Sequence, residues 1–281
     1  MILIADSGST NTEWVLIKKD KIISSFVTSG FNPYFTKSEE IYIELKQKCP
    51  VNLMINEVNK IFFYGSGCSA EEMKKIVNNG LSQLFMNSEI EINHDLLGAA
   101  RALFMNDSGI AVILGTGASS CFYNGSKITE RIPSLGYILG DEGGGDYLGK
   151  LFITDFLYGR LPENVHQNFL KKFQLNNNLI MHKIYKEPYP NRFLASFCEF
   201  ISEQSKDSSI NDMIIKSFTD LFVNNITRYE NYKKCSIKIT GSVGYYFKTQ
   251  LKEVAKRFNA NIDLIERSPI NRLVQYHFNN N

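Results

Sequence analysis

Proline is scarce in this chain, with 7 in 281 residues, and no low-complexity tract occurs beyond short Asn runs. A collagen-like rod, a coiled coil or a long disordered linker is therefore excluded. Tryptophan occurs once, and the four histidines, His94, His166, His182 and His277, are scattered without the spacing of a zinc site. The five cysteines, Cys49, Cys68, Cys121, Cys198 and Cys235, form no C-x-x-C pair, and an odd number fits reduced thiols better than a disulfide framework. A dominant charge is lacking too. Lys and Arg number 31 against 29 Asp and Glu, with no basic cluster, so neither nucleic acid nor an anionic membrane is an expected partner. Apolar stretches such as Ile110 to Leu114 are strand-sized, far short of the ~20 residues that span a bilayer. No basic n-region opens the chain, and Asp6 interrupts the apolar segment that an export signal would continue; a cytoplasmic placement is expected.

What remains is an ordinary globular composition, 43% hydrophobic and 21% charged, of a length that suits about two domains. The opening reads strand, tight turn, strand, turn, strand: Ile2 to Ala5, Asp6 to Thr10, Glu13 to Lys18, Lys19-Asp20, Lys21 to Val27. The same rhythm returns with Ile110 to Leu114, Gly115-Thr116-Gly117, Ser120 to Tyr123, Asn124-Gly125 and Lys127 to Glu130, which suggests an internal duplication. Between the copies helices and strands alternate. Thr36 to Glu39 and Ser69 to Glu72 read as capping boxes opening helices to about Lys48 and Phe85; Lys60 to Tyr64 and Ile90 to Asn93 read as strands, and Leu96 to Met105 as a helix. Beyond Gly145 long helical patterns dominate: 146–158, 163–173, 192–203 and 211–232. A strand at Ser236 to Thr240, a helix reaching Phe258, a strand at Ile262 to Ile265 and a terminal helix after Pro269 complete the chain. The expected class is α/β, with a boundary near Asn106 to Ser108.

Two segments carry the chemistry of a nucleotide site. Asp6-Ser7-Gly8-Ser9-Thr10 turns back from a strand end, where glycine admits backbone amides to an anion, hydroxyls add donors, and a carboxylate can hold the hydration shell of Mg²⁺. Gly115-Thr116-Gly117-Ala118-Ser119-Ser120 repeats that composition at the matching place. Two such hairpins facing each other would wrap a triphosphate from both sides. Gly241-Ser242-Val243-Gly244, between a strand and a helix, is a third small-residue corner suited to the close approach of an adenosine or α-phosphate.

The order of these motifs resembles the superfamily of acetate and sugar kinases, Hsp70 and actin. Within it, the chain is similar to the N-acetylglucosamine kinase branch, grouped with the ATPases that activate acyl-CoA dehydratases. The resemblance spans nearly the whole chain, and its most distinctive segment is Gly136-Tyr137-Ile138-Leu139-Gly140-Asp141-Glu142-Gly143. It implies two ribonuclease-H-like, actin-like ATPase domains around a cleft: residues 1–106 with 268–281 returning to them, and a larger domain of 107–267 with extra helices. It also implies ATP-dependent phosphorylation of the 6-hydroxyl of an N-acetylated amino sugar, N-acetylglucosamine or a relative such as N-acetylmuramic acid. Asp95, following a strand and opening a helix, matches the catalytic aspartate, since a sugar hydroxyl needs a base within about 3 Å as it attacks. Asp6 would bind Mg²⁺ through water; Gly8, Ser9, Thr10, Thr116, Gly117, Gly241 and Ser242 would hold ATP. On the sugar side, the resemblance points to Asn32, Ser66, Gly67, Asp95, Ser134, Leu135, Gly136 and Asp141.

The chain also departs from the family. Where relatives carry a small Gly-Ala pair at the start of the last helix, this chain reads Ser268-Pro269-Ile270-Asn271-Arg272, and Pro133-Ser134-Leu135-Gly136 replaces a Gly-Gly-Trp-Gly version. Two rival functions stay open: an ATPase that activates a partner redox enzyme, for which Cys121 offers no convincing cluster-bridging pair, and a sugar-sensing regulator, which would usually carry an N-terminal helix-turn-helix. The oligomeric state is left open, a homodimer included. Gly144 to Leu151 nearly spells a Walker A loop but ends in Leu where Ser or Thr must ligand Mg²⁺. Trp14 and Tyr245 read as packing residues.

Overall fold

The structure, a computed structural model, describes residues 1–19, 21–50 and 55–280. Asp20 of the second expected turn and Asn281 of the terminal segment lie outside them. In chain order the elements are β1 (Ile2–Ser7), β2 (Asn11–Lys18), β3 (Lys21–Ser29), α1 (Ser38–Lys48), β4 (Lys60–Gly65), α2 (Glu71–Ser82), β5 (Glu89–His94) and α3 (Asp95–Phe104). There follow β6 (Gly109–Leu114), β7 (Ala118–Tyr123), β8 (Ile128–Arg131), α4 (Gly136–Leu139), α5 (Gly145–Leu157), α6 (Glu163–Phe173), α7 (Asn177–Tyr185), α8 (Pro190–Ala195) and α9 (Cys198–Glu203). The remainder is α10 (Ser208–Asn224), β9 (Ser236–Thr240), α11 (Ser242–Tyr246), α12 (Lys248–Arg257), β10 (Asn261–Glu266) and α13 (Ile270–Asn280). Two five-stranded sheets form, β3-β2-β1-β4-β5 and β10-β9-β6-β7-β8, so the second repeats the strand order of the first. The chain divides into two compact units: 1–111 with 123–129 and 268–281, and 112–122 with 130–267.

In the first unit, β1 pairs antiparallel with β2 and parallel with β4, and β4 pairs parallel with β5. Side chains alternate across this sheet, and both faces are buried. Leu3, Ala5, Trp14, Leu16, Ile61 and Phe63 enter one core with Ile41 and Leu45 of α1 and Val77 and Leu81 of α2. Ile4, Val15, Ile17, Phe62 and Tyr64 enter a second core with Ala102 of α3 and Ile270, Leu273 and Val274 of α13. That double burial explains why these strands read as continuous apolar runs. Trp14 is fully buried, stacks on Phe26 at 5.6 Å and donates its Nε1–H to Thr28 Oγ1 at 3.0 Å.

The expected capping boxes are displaced. The cap of α1 is Lys37, whose backbone N–H donates to Glu40 Oε2 at 2.7 Å; α2 starts after Ala70 without a side-chain cap. The expected helices over 192–203 and 211–232 are also shorter. The first breaks into α8 and α9 at Ser196–Phe197, and α10 stops at Asn224 before a 3₁₀ turn at Ile226–Arg228. Phe197 is buried among Phe169, Phe173 and Phe193, so burying its ring outweighs helix continuity. The Walker-like segment instead opens α5. There Gly145 N donates to Gly115 O at 2.9 Å, and a Cβ on Gly149 would lie 2.0 Å from Leu194 O. Its glycines serve helix packing.

Candidate active site

The hairpin of residues 6–10, the first candidate phosphate loop, is built from strand pairing and one glycine elsewhere in the chain. Ser7 closes β1, with its Oγ 2.7 Å from Thr12 Oγ1 on β2 and accepting Phe31 N–H at 3.1 Å. Gly30 N donates to Thr10 O at 2.8 Å, and a Cβ at Gly30 would fall 2.2 Å from Gly8 O and 2.7 Å from Ser9 O. Gly8 itself has only ordinary space around it, with Asn11 O at 3.7 Å from a built Cβ. The steric demand for glycine therefore sits beneath the hairpin, at Gly30.

Asp6 pairs in register with Glu13 on β2 and Tyr64 on β4. Burial first, then the charges of Asp95 and Glu13, push its carboxyl up to about 8. Glu13 in turn accepts a hydrogen bond from Ser268 Oγ. Asp95 is the first residue of α3, directly after β5; its Oδ1 accepts Leu96 N–H at 2.7 Å and lies 2.7 Å from His94 Nδ1. The N-cap of α3 is His94, whose Nδ1 also accepts Leu96 N–H at 3.1 Å, and both contacts of Asp95 use a single oxygen. Among the described residues no group of three or more His, Cys, Asp or Glu could ligate a metal directly. Three carboxyls within electrostatic reach of one another, the buried Asp6 keeping its proton until a cation displaces it, are the donor chemistry that fits Mg²⁺ retained through its water shell and completed by phosphate oxygens.

Asn32, Ser66 and Gly67 come together in the same unit. Asn32 Oδ1 accepts Tyr34 N–H at 3.1 Å, Ser66 N donates to Ser7 O at 2.8 Å, and Gly67, at φ +81°, leaves 2.5 Å between a built Cβ and Asn32 Oδ1. The departure at Arg272 is accommodated: its Nε donates to Ala102 O of α3 at 2.9 Å, so the long side chain bonds the neighbouring helix.

In the second unit, the turn Gly115–Gly117 between β6 and β7 is closed by Gly115 N donating to Gly117 O at 3.0 Å. It is anchored to the start of α5 by Asp146 N donating to Thr116 O at 2.8 Å. Asp141, at φ +59°, lies over this turn, with its Oδ2 2.6 Å from a Cβ built on Gly117. Ser134 Oγ lies 3.3 Å from Asp141 Oδ1 and from Ala118 O. Leu135 is exposed and Gly136 sits in open space at φ +73°. Glu142 is tied to α10 through Asn224 Nδ2 at 2.7 Å. Gly241, at φ +118°, leaves 2.2 Å between a built Cβ and Leu114 O, and Ser242 starts α11. Cys121, which a cluster-bridging role would call on, is fully buried in β7. Sequence reasoning missed Gly30, Glu13 and Asp146. The last was hidden in a glycine-rich run whose spacing mimics another motif.

Comparison with protein-family models and with curated protein sequences finds no match. Among solved structures, a candidate N-acetylglucosamine kinase from Porphyromonas gingivalis superposes with a TM-score of 0.95 at 38% identity, over 100% of this chain and 99% of that one. The chain belongs to the N-acetylglucosamine kinase family of sugar kinases. Its fold is the two-domain actin-like ATPase fold. More distant members of the fold include a candidate N-acetylglucosamine kinase from Chromobacterium violaceum, with 14% identity, a TM-score of 0.69 and 98% of each chain covered. A ROK-family glucokinase from Streptomyces griseus, solved with glucose and AMPPNP, shares the fold at 12% identity and a TM-score of 0.59, over 98% of this chain and 97% of that one. No helix among the described residues is long and apolar enough to cross a membrane.

Proposed function

We propose that this protein transfers the γ-phosphoryl group of ATP to the 6-hydroxyl of an N-acetylated amino sugar, N-acetylglucosamine or a close relative such as N-acetylmuramic acid. The full-length match to the Porphyromonas protein supports this reading most, because the chain keeps a strand-end carboxylate, Asp95, within electrostatic reach of Asp6 beside the first phosphate hairpin. Phosphoryl transfer asks a protein mainly for positioning and charge compensation. Asp95 accepts the hydroxyl proton as the oxygen attacks, while the contacts on its Oδ1 from Leu96 N–H and His94 fix the carboxylate. Mg²⁺ bound with the nucleotide supplies the positive charge that offsets the developing negative charge on the phosphate oxygens. Asp6 holds its water shell, and the backbone of Gly8, Ser9 and Thr10 faces the phosphates. Thr116 and Gly117 bind nucleotide phosphate, with Gly241 and Ser242 at the adenosine end. Asn32, Ser66, Gly67, Ser134, Leu135, Gly136 and Asp141 read the sugar.

A coupled ADP-release screen over amino sugars, with the position of the new phosphate read by NMR, tests this. An N-acetylated hexosamine should give the highest kcat/KM and a 6-phosphate product. Absence of turnover with every amino sugar, together with turnover of a different class of alcohol, would refute it.

A further inference from the structure

Asp146 is the second residue of α5 and 1% exposed, yet neither carboxylate oxygen receives a hydrogen bond of good geometry; the Tyr147 backbone N–H lies near enough only to draw its pKa down against the stronger effect of burial. Its backbone N–H is committed to Thr116 O at 2.8 Å, which fixes the residue beneath the second phosphate turn. The side chain it faces is Asp141. Asp141 has little freedom of its own. It holds a left-handed backbone at φ +59°, its Oδ2 fills the space above Gly117, and Ser134 Oγ lies 3.3 Å from its Oδ1. Two carboxylates meeting in a buried place present acceptors to each other and no donor. A single proton turns that repulsion into a charge-assisted hydrogen bond.

We propose that Asp146 is a positioning residue: a neutral carboxylic acid that donates its proton to Asp141 and so holds the Asp141 carboxylate ionised and oriented toward the acceptor sugar's hydroxyls. The inference rests on the sugar-reading role given above to Asp141. The other groups around Asp146 leave this arrangement standing. Burial and the negative charge of Asp141 raise its carboxyl to about 9, against a smaller pull from Lys150 on the same helix, whose Nζ is bonded to Tyr137 O at 3.1 Å. Tyr147 donates its hydroxyl to Asp220 of α10, Glu142 adds negative charge on the Asp141 side, and from α9 Cys198, itself pushed up to about 12 by burial, donates to Gly145 O. α8 meets the same turn through Ala195, which is uncharged.

The test uses the full-length protein and two variants. In difference infrared spectra at neutral pH without ligands, wild type should show a protonated-carboxyl stretch that Asp146→Asn lacks. Absence of that band overturns the proposal whatever the enzyme phosphorylates. In kinetics, Asp146→Leu should raise the KM for the amino sugar at least tenfold with the KM for ATP within twofold, and Asp146→Asn, which still offers an N–H to Asp141, should recover most of that loss. The wild-type kcat/KM for the sugar should fall above about pH 9, and Asp146→Asn should lack that alkaline limb. Equal sugar KM in Asp146→Leu and wild type, or an unchanged alkaline limb in Asp146→Asn, would overturn the positioning role. A protein that shows the infrared band but phosphorylates no amino sugar would overturn the substrate reading instead and leave the carboxyl pair intact.

Discussion

His277 on α13 gives the cleanest quantitative prediction. Its ring is 3% exposed, stacked on Phe62 at a centroid distance of 4.0 Å, with Nε2 3.0 Å from Tyr64 OH. Burial first, then the charges of Arg101 and Lys60, lower its pKa from 6.5 to about 3. Because the folded pKa is depressed, the stability that the neutral ring contributes is complete above about pH 6.5 and is lost as pH falls toward about 3. At pH 5 the unfolded imidazole binds its proton and the folded one does not. The gap of about 1.5 pH units corresponds to about 2 kcal/mol, and this figure depends on the unfolded pKa alone so long as the folded value stays below about 4. His277→Gln keeps a polar partner for Tyr64 and cannot titrate. Trp14, the single tryptophan, is buried in the same unit, so its fluorescence reports the unfolding of that unit. Between pH 8 and pH 5, wild type should lose about 2 kcal/mol more than His277→Gln, roughly 4–8 °C in midpoint. The double difference cancels the packing lost in the variant and every other titration. Parallel pH dependences in the two proteins would refute a neutral, buried His277.

Three further outcomes can be measured. Asp95→Asn should lower kcat by about 10²–10⁴ while binding of a non-hydrolysable ATP analogue, followed by calorimetry, stays within a few-fold of wild type. Gly30→Ala forces a methyl group toward Gly8 O, so the first phosphate hairpin should shift and the KM for ATP rise at least tenfold, with ~1–3 kcal/mol lost in denaturant titration. Arg272→Ala leaves Ala102 O without its donor on α3 and should lower stability by ~1–3 kcal/mol by urea unfolding, with kcat altered less than twofold.

Much of the fold could be read from residue order because its signals are local. The hairpin glycines and hydroxyls, the apolar runs of β1, β4 and β6, and the terminal helix each announce themselves within a few residues. The family motifs around Asp6, Asp95 and Asp141 were legible for the same reason. What escaped depends on partners far along the chain. Gly30 must be glycine because of the carbonyls of Gly8 and Ser9, and Gly149 because of Leu194 O. The helix expected over 192–203 breaks where Phe197 turns into a cluster of rings, a tertiary demand that helical periodicity does not encode. Asp146 looks like any acidic residue in a first helical turn. Only its burial beside Asp141 marks it out.

The sheet of the first unit acquires its two faces at very different moments of synthesis. Leu3, Trp14, Phe63 and their helical cover are complete by about residue 85, whereas Ile270, Leu273 and Val274, which shield Ile4, Val15, Phe62 and Tyr64, emerge about 160 residues after Ala111. At ~5–20 residues per second that interval is roughly 8–30 s. Throughout it α3 alone clads that face, and the rest of its apolar surface stays open to the ribosome's surroundings, the exposure that makes an incomplete fold prone to aggregate.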